Sequence, residues 1–353
     1  MMMLKEALLY DELSEGAVRC NVCPRRCVIG PGKRGFCRTR ENRGGKLYTL
    51  IYGEVVSMAI DPIEKKPLFN FWPGSLAFSI ACPSCNFRCR HCQNWTISQV
   101  SPAEVPTKYY GPEDIVRLAR ERRCKSIAYT YTEPIIWYEF ILDTARLAKK
   151  EDICNVLVTN GFITLDALDA LAPYIDAANV DIKAFAEKFY HDVCGATLQP
   201  VLDATKAMVE RGIFVETTNL IIPGYNDGED ETRELARWQR DELGPDVPLH
   251  FSRFYPHYKM AHVPPTPTRT LAKARDIALE EGLHYVYVGN VPGHEGESTY
   301  CPKCNELLVG RFGYDISEWK LTKGMRCPKC DTRVNIVGSY EHRRWGEWLL
   351  ETW

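Results

Sequence analysis

A chain of 353 residues is too long for one small core, and one large α/β domain with one or two small modules is the expectation. A formal charge of -2 excludes a chain that is basic throughout, as many nucleic-acid binders are, and no run of about 18 apolar residues is present to cross a membrane. Fifteen cysteines in a chain expected to be cytoplasmic argue against a disulfide framework and for metal or redox sites. The cytoplasmic expectation rests on Met1 to Tyr10, where Lys5 and Glu6 interrupt a short apolar stretch that lacks the features of a signal peptide.

Residues 1–50 read as a first module, with ten Lys and Arg against five Asp and Glu, a net of +5. Such a patch serves as a solvated surface or as a docking face for an acidic partner or phosphate backbone. Cys20, Cys23, Cys27 and Cys37 follow the spacing C-x2-C-x3-C-x9-C, with Gly30, Pro31, Gly32 and Gly35 before the last. That composition cannot build a core of its own, and a bound metal supplies the missing stabilisation. The structural look of the module favours zinc, with a second [4Fe–4S] cluster as the alternative. Tyr48 to Met58 looks extended, with a turn or bulge at Gly53.

Residues 51–290 read as the main domain. Candidate strands are 76–81, 126–131, 155–159, 178–182, 213–219, 249–253 and 284–288. Between them, residues 113–122, 135–149, 165–171, 203–210, 231–240 and 271–280 have helical periodicity, and Thr164 is a good N-cap for the third. Repeated βα units demand parallel strands, because each crossover returns the chain in the same direction. The fold class is therefore α/β, a partial β/α barrel, with a doubly wound open sheet as the alternative. Polar residues sit at the C-terminal ends of successive candidate strands: Cys82 onward, Thr132-Glu133, Thr159-Asn160, Asp181 and Lys183, Thr217 to Asn219, then Arg253 and His257. In a β/α barrel those ends converge on one mouth, where active sites are built. Cys124, Cys154 and Cys194 stand alone and read as small core residues.

After the first candidate strand come four cysteines in eleven positions, Cys82, Cys85, Cys89 and Cys92. Two spacings compete. Cys82, Cys85 and Cys89 repeat the C-x2-C-x3-C of the N-terminal module, whereas Cys85, Cys89 and Cys92 give C-x3-C-x2-C. Three thiolates on one loop can hold three corners of a cubane cluster and leave the fourth iron open for a cofactor or substrate. Zinc held by all four is the structural alternative.

Residues 291–353 read as a third module. Cys301-x2-Cys304 and Cys327-x2-Cys330 are two C-P-K-C knuckles, the pattern of a zinc ribbon, although a rubredoxin-like iron takes the same four thiolates. The tail from Glu341 to Trp353 holds three tryptophans with Arg343 and Arg344. It either packs on the main domain or offers a basic, aromatic face to a partner.

C-x3-C-x2-C directly after a first barrel strand resembles the radical SAM superfamily. The resemblance implies a [4Fe–4S] cluster on Cys85, Cys89 and Cys92 whose open iron chelates S-adenosyl-L-methionine. It also implies reductive cleavage to a 5′-deoxyadenosyl radical that abstracts hydrogen from a substrate. Thr132-Glu133-Pro134 matches only the Glu-Pro half of the Gly-Gly-Glu-Pro common in the superfamily, with Tyr131 and Thr132 at the glycine positions. Thr159-Asn160-Gly161 and Asp181-Ile182-Lys183 resemble elements of the pyruvate formate-lyase activating enzymes, as do the stretches Ile222 to Asp227 and Phe254 to Met260. The implied cofactor-binding residues are His91, which stands where relatives carry another aromatic against the adenine, together with Glu133, Asn160, Asp181 and Lys183. The N-terminal C-x-x-C-P-x-x-C, the run Asp61 to Leu68, and Gly289 to Glu295 together resemble the radical SAM member of the AmmeMemoRadiSam system. That resemblance implies companion proteins, and the superfamily resemblance implies an electron donor such as ferredoxin or flavodoxin.

Within that class the substrate is a protein, as in glycyl-radical activation, or a small metabolite. RNA is a further alternative, using the basic N-terminal module, the ribbon and stacking on Trp345 or Trp348. From another class comes a non-catalytic scaffold with zinc in every cysteine group. A scaffold has no need of polar side chains at successive strand ends.

Overall fold

The computed structural model describes residues 4–342, and packing divides the chain into two units. The first comprises Met1–Asp61, Ala77–Val180 and Tyr190–Phe214, and the second Pro62–Leu76, Asp181–Phe189 and Val215–Trp353. The tail with Arg343, Arg344, Trp345 and Trp348 lies outside the described residues. No helix among the described residues is long and apolar enough to cross a membrane.

Four strands, β1 (Leu76–Ala81), β2 (Ser126–Tyr129), β3 (Cys154–Thr159) and β4 (Ala177–Asp181), all but Leu76 and Asp181 in the first unit, are parallel neighbours in that order. Every residue of β1 and β2 is buried, as parallel strands covered on both faces require. Ile80 lies beside Tyr129, and Tyr129 beside Leu157, so the chain leaves β1, β2 and β3 at nearly one level. That register, rather than any single residue, brings the loops after these strands together.

Helices α1 (Pro112–Glu121), α2 (Tyr138–Lys150), α3 (Leu165–Leu171) and α4 (Gln199–Glu210) separate or follow these strands. Pro112 opens α1 at the position where a missing N–H costs nothing, and Asp114 accepts from the Gly111 N–H at 3.1 Å. Thr164 caps α3 by accepting from the Ala167 N–H at 3.3 Å. Residues 135–149, expected as one helix, divide into a 3-10 turn, Pro134–Trp137, and α2. The reason is local: Glu133 precedes a proline, is extended, and its side chain accepts from the Ile135 N–H.

The N-terminal segment of this unit contains two three-stranded antiparallel sheets, one of Lys5–Glu6, Lys46–Thr49 and Arg40–Arg43, the other of Tyr10–Glu12, Val18–Cys20 and Val28–Ile29. It is fastened to the βα units by polar ties. Arg40 pairs with Glu139 on α2, the Trp137 indole N–H donates to Ile51 O at 2.6 Å, and the Thr164 hydroxyl donates to Asn21 O at 2.7 Å.

In the second unit, β5 (Phe214–Ile221), β6 (Leu249–Arg253) and β7 (Val286–Gly289) are parallel neighbours, with α5 (Glu229–Trp238) and α6 (Thr268–Glu280) between them in the chain. Thr217, Thr218 and Asn219, expected at the end of β5, lie inside it. The apolar continuation Leu220-Ile221 keeps pairing with Ser252 and Arg253 of β6. Their side chains are buried, with Thr217 donating to Gln239 Oε1 at 2.6 Å and Asn219 to Ile182 O at 2.9 Å. Three short antiparallel strands, Thr299–Tyr300, Leu307–Phe312 and Asp315–Trp319, carry the C-terminal cysteines, around a core that includes Phe69, Tyr285, Tyr287, Leu308 and Val334. Parallel βα repeats with a cysteine module at each end are the α/β class expected from the sequence.

Candidate active site

The loop after β1 carries Cys82, Cys85, Cys89 and Cys92. Cys82 turns into the protein. Its Sγ lies 3.7 Å from Thr132 Oγ1 and 3.8 Å from Glu133 O, while Thr132 donates to Cys82 O at 2.7 Å. It ties the end of β1 to the end of β2.

Cys85, Cys89 and Cys92 form a different environment. The Phe87 N–H donates to Cys85 Sγ at 3.3 Å, Asn160 Nδ2 approaches the same sulfur at 3.9 Å, and Ser98 Oγ lies 3.1 Å from Cys92 Sγ. Burial above all, then the charges of Glu133, Cys89 and Cys92, pushes the Cys85 thiol well above its ordinary value. The three sulfurs do not crowd around one point: among the described residues, only the four C-terminal cysteines have ligand atoms all within 4.8 Å of one another. Separate sulfurs, with N–H groups directed at Cys85 and a hydroxyl beside Cys92, suit a cluster whose irons each take one cysteine.

The loop is held by its surroundings. Backbone N–H groups of Arg88 and Arg90 donate to Cys194 O and Val193 O at 2.8 and 2.9 Å. Phe87 packs edge-on against Phe162 and Tyr190. His91 is buried.

Glu133 is the hub of the next two strand ends. Oε1 accepts from the Ile135 N–H at 3.0 Å and the Thr159 hydroxyl at 2.7 Å, and Oε2 accepts from the Asn160 N–H at 2.8 Å. Asn160 in turn donates to Asn86 Oδ1 at 2.8 Å and accepts from the Phe162 N–H at 3.0 Å. The ends of β2 and β3 and the cysteine loop are thus one hydrogen-bonded assembly. At Gly161, φ is +71°, and an added Cβ would lie 2.9 Å from Val180 Cγ1, so only glycine fits. Tyr131, at a position where the resemblance expects glycine, has φ +66°. Its hydroxyl donates to Asp61, a contact that offsets backbone strain of about 1 kcal/mol.

Asp181 and Lys183, in the second unit, pair with each other at 2.7 Å. Asn226 fixes the local backbone by donating to Lys183 O at 2.8 Å and Leu220 O at 2.9 Å. In the same unit, Cys301 and Cys330 have sulfurs 3.5 Å apart, and Cys304 and Cys327 3.6 Å. Four thiolates about 2.3 Å from one tetrahedral ion stand about 3.8 Å apart, so this group fits a single metal. Cys330 Sγ also lies 3.2 Å from Thr332 Oγ1.

Cys20, Cys23, Cys27 and Cys37 line one pocket in the first unit, together with Arg25, Arg40 and Asn86. Sequence reasoning missed Arg25, Arg88 and Asn86, which stand around the cysteine groups. The signal was present, since Arg25 falls between Cys23 and Cys27 and Arg88 directly precedes Cys89.

Residues 79–237 match the radical SAM superfamily. An uncharacterized protein of Methanocaldococcus jannaschii is 52% identical over 335 residues, which cover 95% of this chain and 100% of that protein. Pyruvate formate-lyase 1-activating enzyme of Escherichia coli is 24% identical over 216 residues, 57% of this chain and 87% of that enzyme. A radical SAM methyltransferase from Sphaerobacter thermophilus shares the fold, with a TM-score of 0.50 at 17% identity over 71% of this chain and 76% of that one. The matched segment holds the C-x3-C-x2-C loop and the hydrogen-bonded strand ends that surround it, and the chain belongs to the radical SAM superfamily.

Proposed function

We propose that the chain reductively cleaves S-adenosylmethionine and uses the product to abstract hydrogen from a protein substrate. The observation that carries this reading is the assembly of Cys85, Asn86, Asn160 and Glu133, which joins three successive strand ends around a Cys85 thiol that two N–H groups approach. Cys85, Cys89 and Cys92 would hold a [4Fe–4S] cluster, which with bound S-adenosylmethionine would supply the one-electron reductive cleavage.

The residues of the chain do the rest. Glu133 is a positioning residue: it holds the Asn160 backbone and the Thr159 hydroxyl, and so fixes the strand end beside Cys85. Asn160 is the side chain nearest that sulfur from the third strand end. His91, Asp181 and Lys183 are assigned to the adenine, carboxylate or ribose of the cofactor by their resemblance to the activating enzymes. A protein substrate is favoured over a metabolite by the likeness to an enzyme that activates another protein. The electron donor on this reading is a ferredoxin or flavodoxin, the C-terminal metal is zinc, and the companions are those of the AmmeMemoRadiSam system.

Anaerobic incubation of the reconstituted, dithionite-reduced protein with S-adenosylmethionine tests the reading. Formation of 5′-deoxyadenosine, increased by the substrate protein, supports it. A colourless protein that binds only zinc and forms no 5′-deoxyadenosine overturns it.

A further inference from the structure

Two of the three cysteine groups lie in the first unit and share their neighbours. Ser84, in the loop after β1, donates to Cys37 O at 2.6 Å. Arg88 donates to Phe36 O at 2.5 Å through one guanidinium nitrogen and to Cys85 O at 2.8 Å through another, so two hydrogen bonds and one side chain lead from the residue before Cys37 to Cys85. Arg25 donates to Asn86 O at 2.8 Å, and Asn86 both lines the N-terminal pocket and contacts Cys85 Sγ at 3.9 Å.

The charges are unusual. Arg25 and Arg88 both lie over the Phe36 ring, 3.5 and 4.2 Å from its centre, and both are partly buried. Neither meets a carboxylate among the described residues; their hydrogen-bond partners are backbone carbonyls. Arg25 lines the pocket of Cys20, Cys23, Cys27 and Cys37, and Arg88 donates to Cys85 O, so the two guanidinium groups stand beside both cysteine groups. Two like charges placed together without a counter-ion are costly. Anionic metal–thiolate groups on both sides remove that cost.

Geometry separates the possible metals. The C-terminal four have sulfurs at single-ion spacing, whereas no three of the N-terminal four lie within 4.8 Å of one another, although all four line one pocket walled by Val22, Ile29 and Ile136. One zinc draws its thiolates together, while a cubane places each thiolate on its own iron and spreads them.

We propose that Cys20, Cys23, Cys27 and Cys37 hold a second [4Fe–4S] cluster that receives electrons from outside and passes them, past Arg25, Arg88 and Asn86, to the cluster on Cys85, Cys89 and Cys92. The step is a transfer of one electron: a low-potential flavoprotein or iron–sulfur donor is oxidised by one electron, the N-terminal cluster is reduced and then reoxidised, and no proton or bond is involved. This inference rests on the function proposed above.

The test begins with the metal content of the anaerobically reconstituted full chain. The expected result is about eight irons and about one zinc per chain. A content of about four irons and about two zincs overturns the inference, and needs no variant that could misfold. In Cys37→Ser, about four irons are lost and one of two electron paramagnetic resonance signals disappears, while the signal altered by S-adenosylmethionine remains. Cleavage by Cys37→Ser then falls at least tenfold with reduced flavodoxin and changes less than about threefold with dithionite. Equal loss with both reductants, or no loss with either, overturns the relay. Wild-type protein with two clusters that forms no 5′-deoxyadenosine under dithionite would instead sink the proposed function and leave the metal assignment standing.

Discussion

Arg40 and Glu139 form a bidentate ion pair, Nη1 to Oε1 at 2.9 Å and Nη2 to Oε2 at 2.8 Å, with 2% and 1% of their side chains exposed. The Leu8 N–H donates to the same carboxylate at 3.1 Å. The pair fastens the N-terminal cysteine segment to α2, and its strength lies in the cost of separating two charges already removed from water. Glu139→Ala leaves a buried guanidinium unpaired and is expected to lower stability by about 3–5 kcal/mol, read from urea midpoints of the reconstituted protein. Replacing both partners, Arg40→Met with Glu139→Leu, should cost much less. Equal losses for the single and double variants would show that the pair itself is not the fastening.

The two competing cysteine spacings make opposite demands on Cys82 and Cys85. Cys85→Ala should reduce 5′-deoxyadenosine formation to background and remove the catalytic cluster. Cys82→Ala should retain the iron and lose about 1 kcal/mol of stability, the cost of a small cavity between β1 and β2. Iron content after reconstitution checks both, and iron lost equally from each would count against the C-x3-C-x2-C triplet.

Glu133 satisfies three buried donors, from Ile135, Thr159 and Asn160. Glu133→Ala leaves all three without their acceptor, at about 1–3 kcal/mol each, and should loosen the assembly beside Cys85. Glu133→Gln keeps one carbonyl oxygen and should lose less than half as much. Thermal unfolding of both variants gives the comparison, alongside their apparent affinity for S-adenosylmethionine. An affinity loss in Glu133→Gln without a stability loss would assign the carboxylate to the cofactor rather than to positioning.

Glu64, in the second unit, supplies a pH dependence. It is buried, the Gly74 N–H donates to Oε1 at 2.7 Å, and Oε2 has no donor within reach. Burial raises its pKa from 4.5 to about 7, opposed by Arg311 and the Gly74 N–H and reinforced by Glu216. The folded state therefore keeps a proton that the unfolded chain releases, and stability is lost as pH rises through this window. The loss between pH 4.5 and about 7 is about 3 kcal/mol. Glu64→Gln should abolish that slope, which urea midpoints at pH 5 and pH 7.5 would reveal. An unchanged slope would place the titration elsewhere.

At the C-terminal cysteines, Cys301→Ser is expected to release about one zinc per chain and leave the iron unchanged, as measured by elemental analysis. The strands Leu307–Phe312 and Asp315–Trp319 should then become open to proteolysis, because the knuckles around them lose their shared ion. Release of iron instead of zinc would give this site to a rubredoxin-like centre.

The chain by itself determined the βα alternation, because strands buried on both faces and helices buried on one leave different periodicities. The span of β1 and the span of α3 are both as expected. It also placed Cys85, Cys89 and Cys92 on one loop after β1, since residues close in sequence stay close in space. Tertiary structure decided what depends on distant partners. The length of β5 depended on Ser252 and Arg253 of β6, and the role of Glu133 on Thr159 and Asn160 of the next strand end. The nearness of Cys37 to Cys85 depended on Ser84 and Arg88, across about fifty residues of chain. Local pattern records which side chains can bind a metal, and only the packed strand ends determine which of them meet.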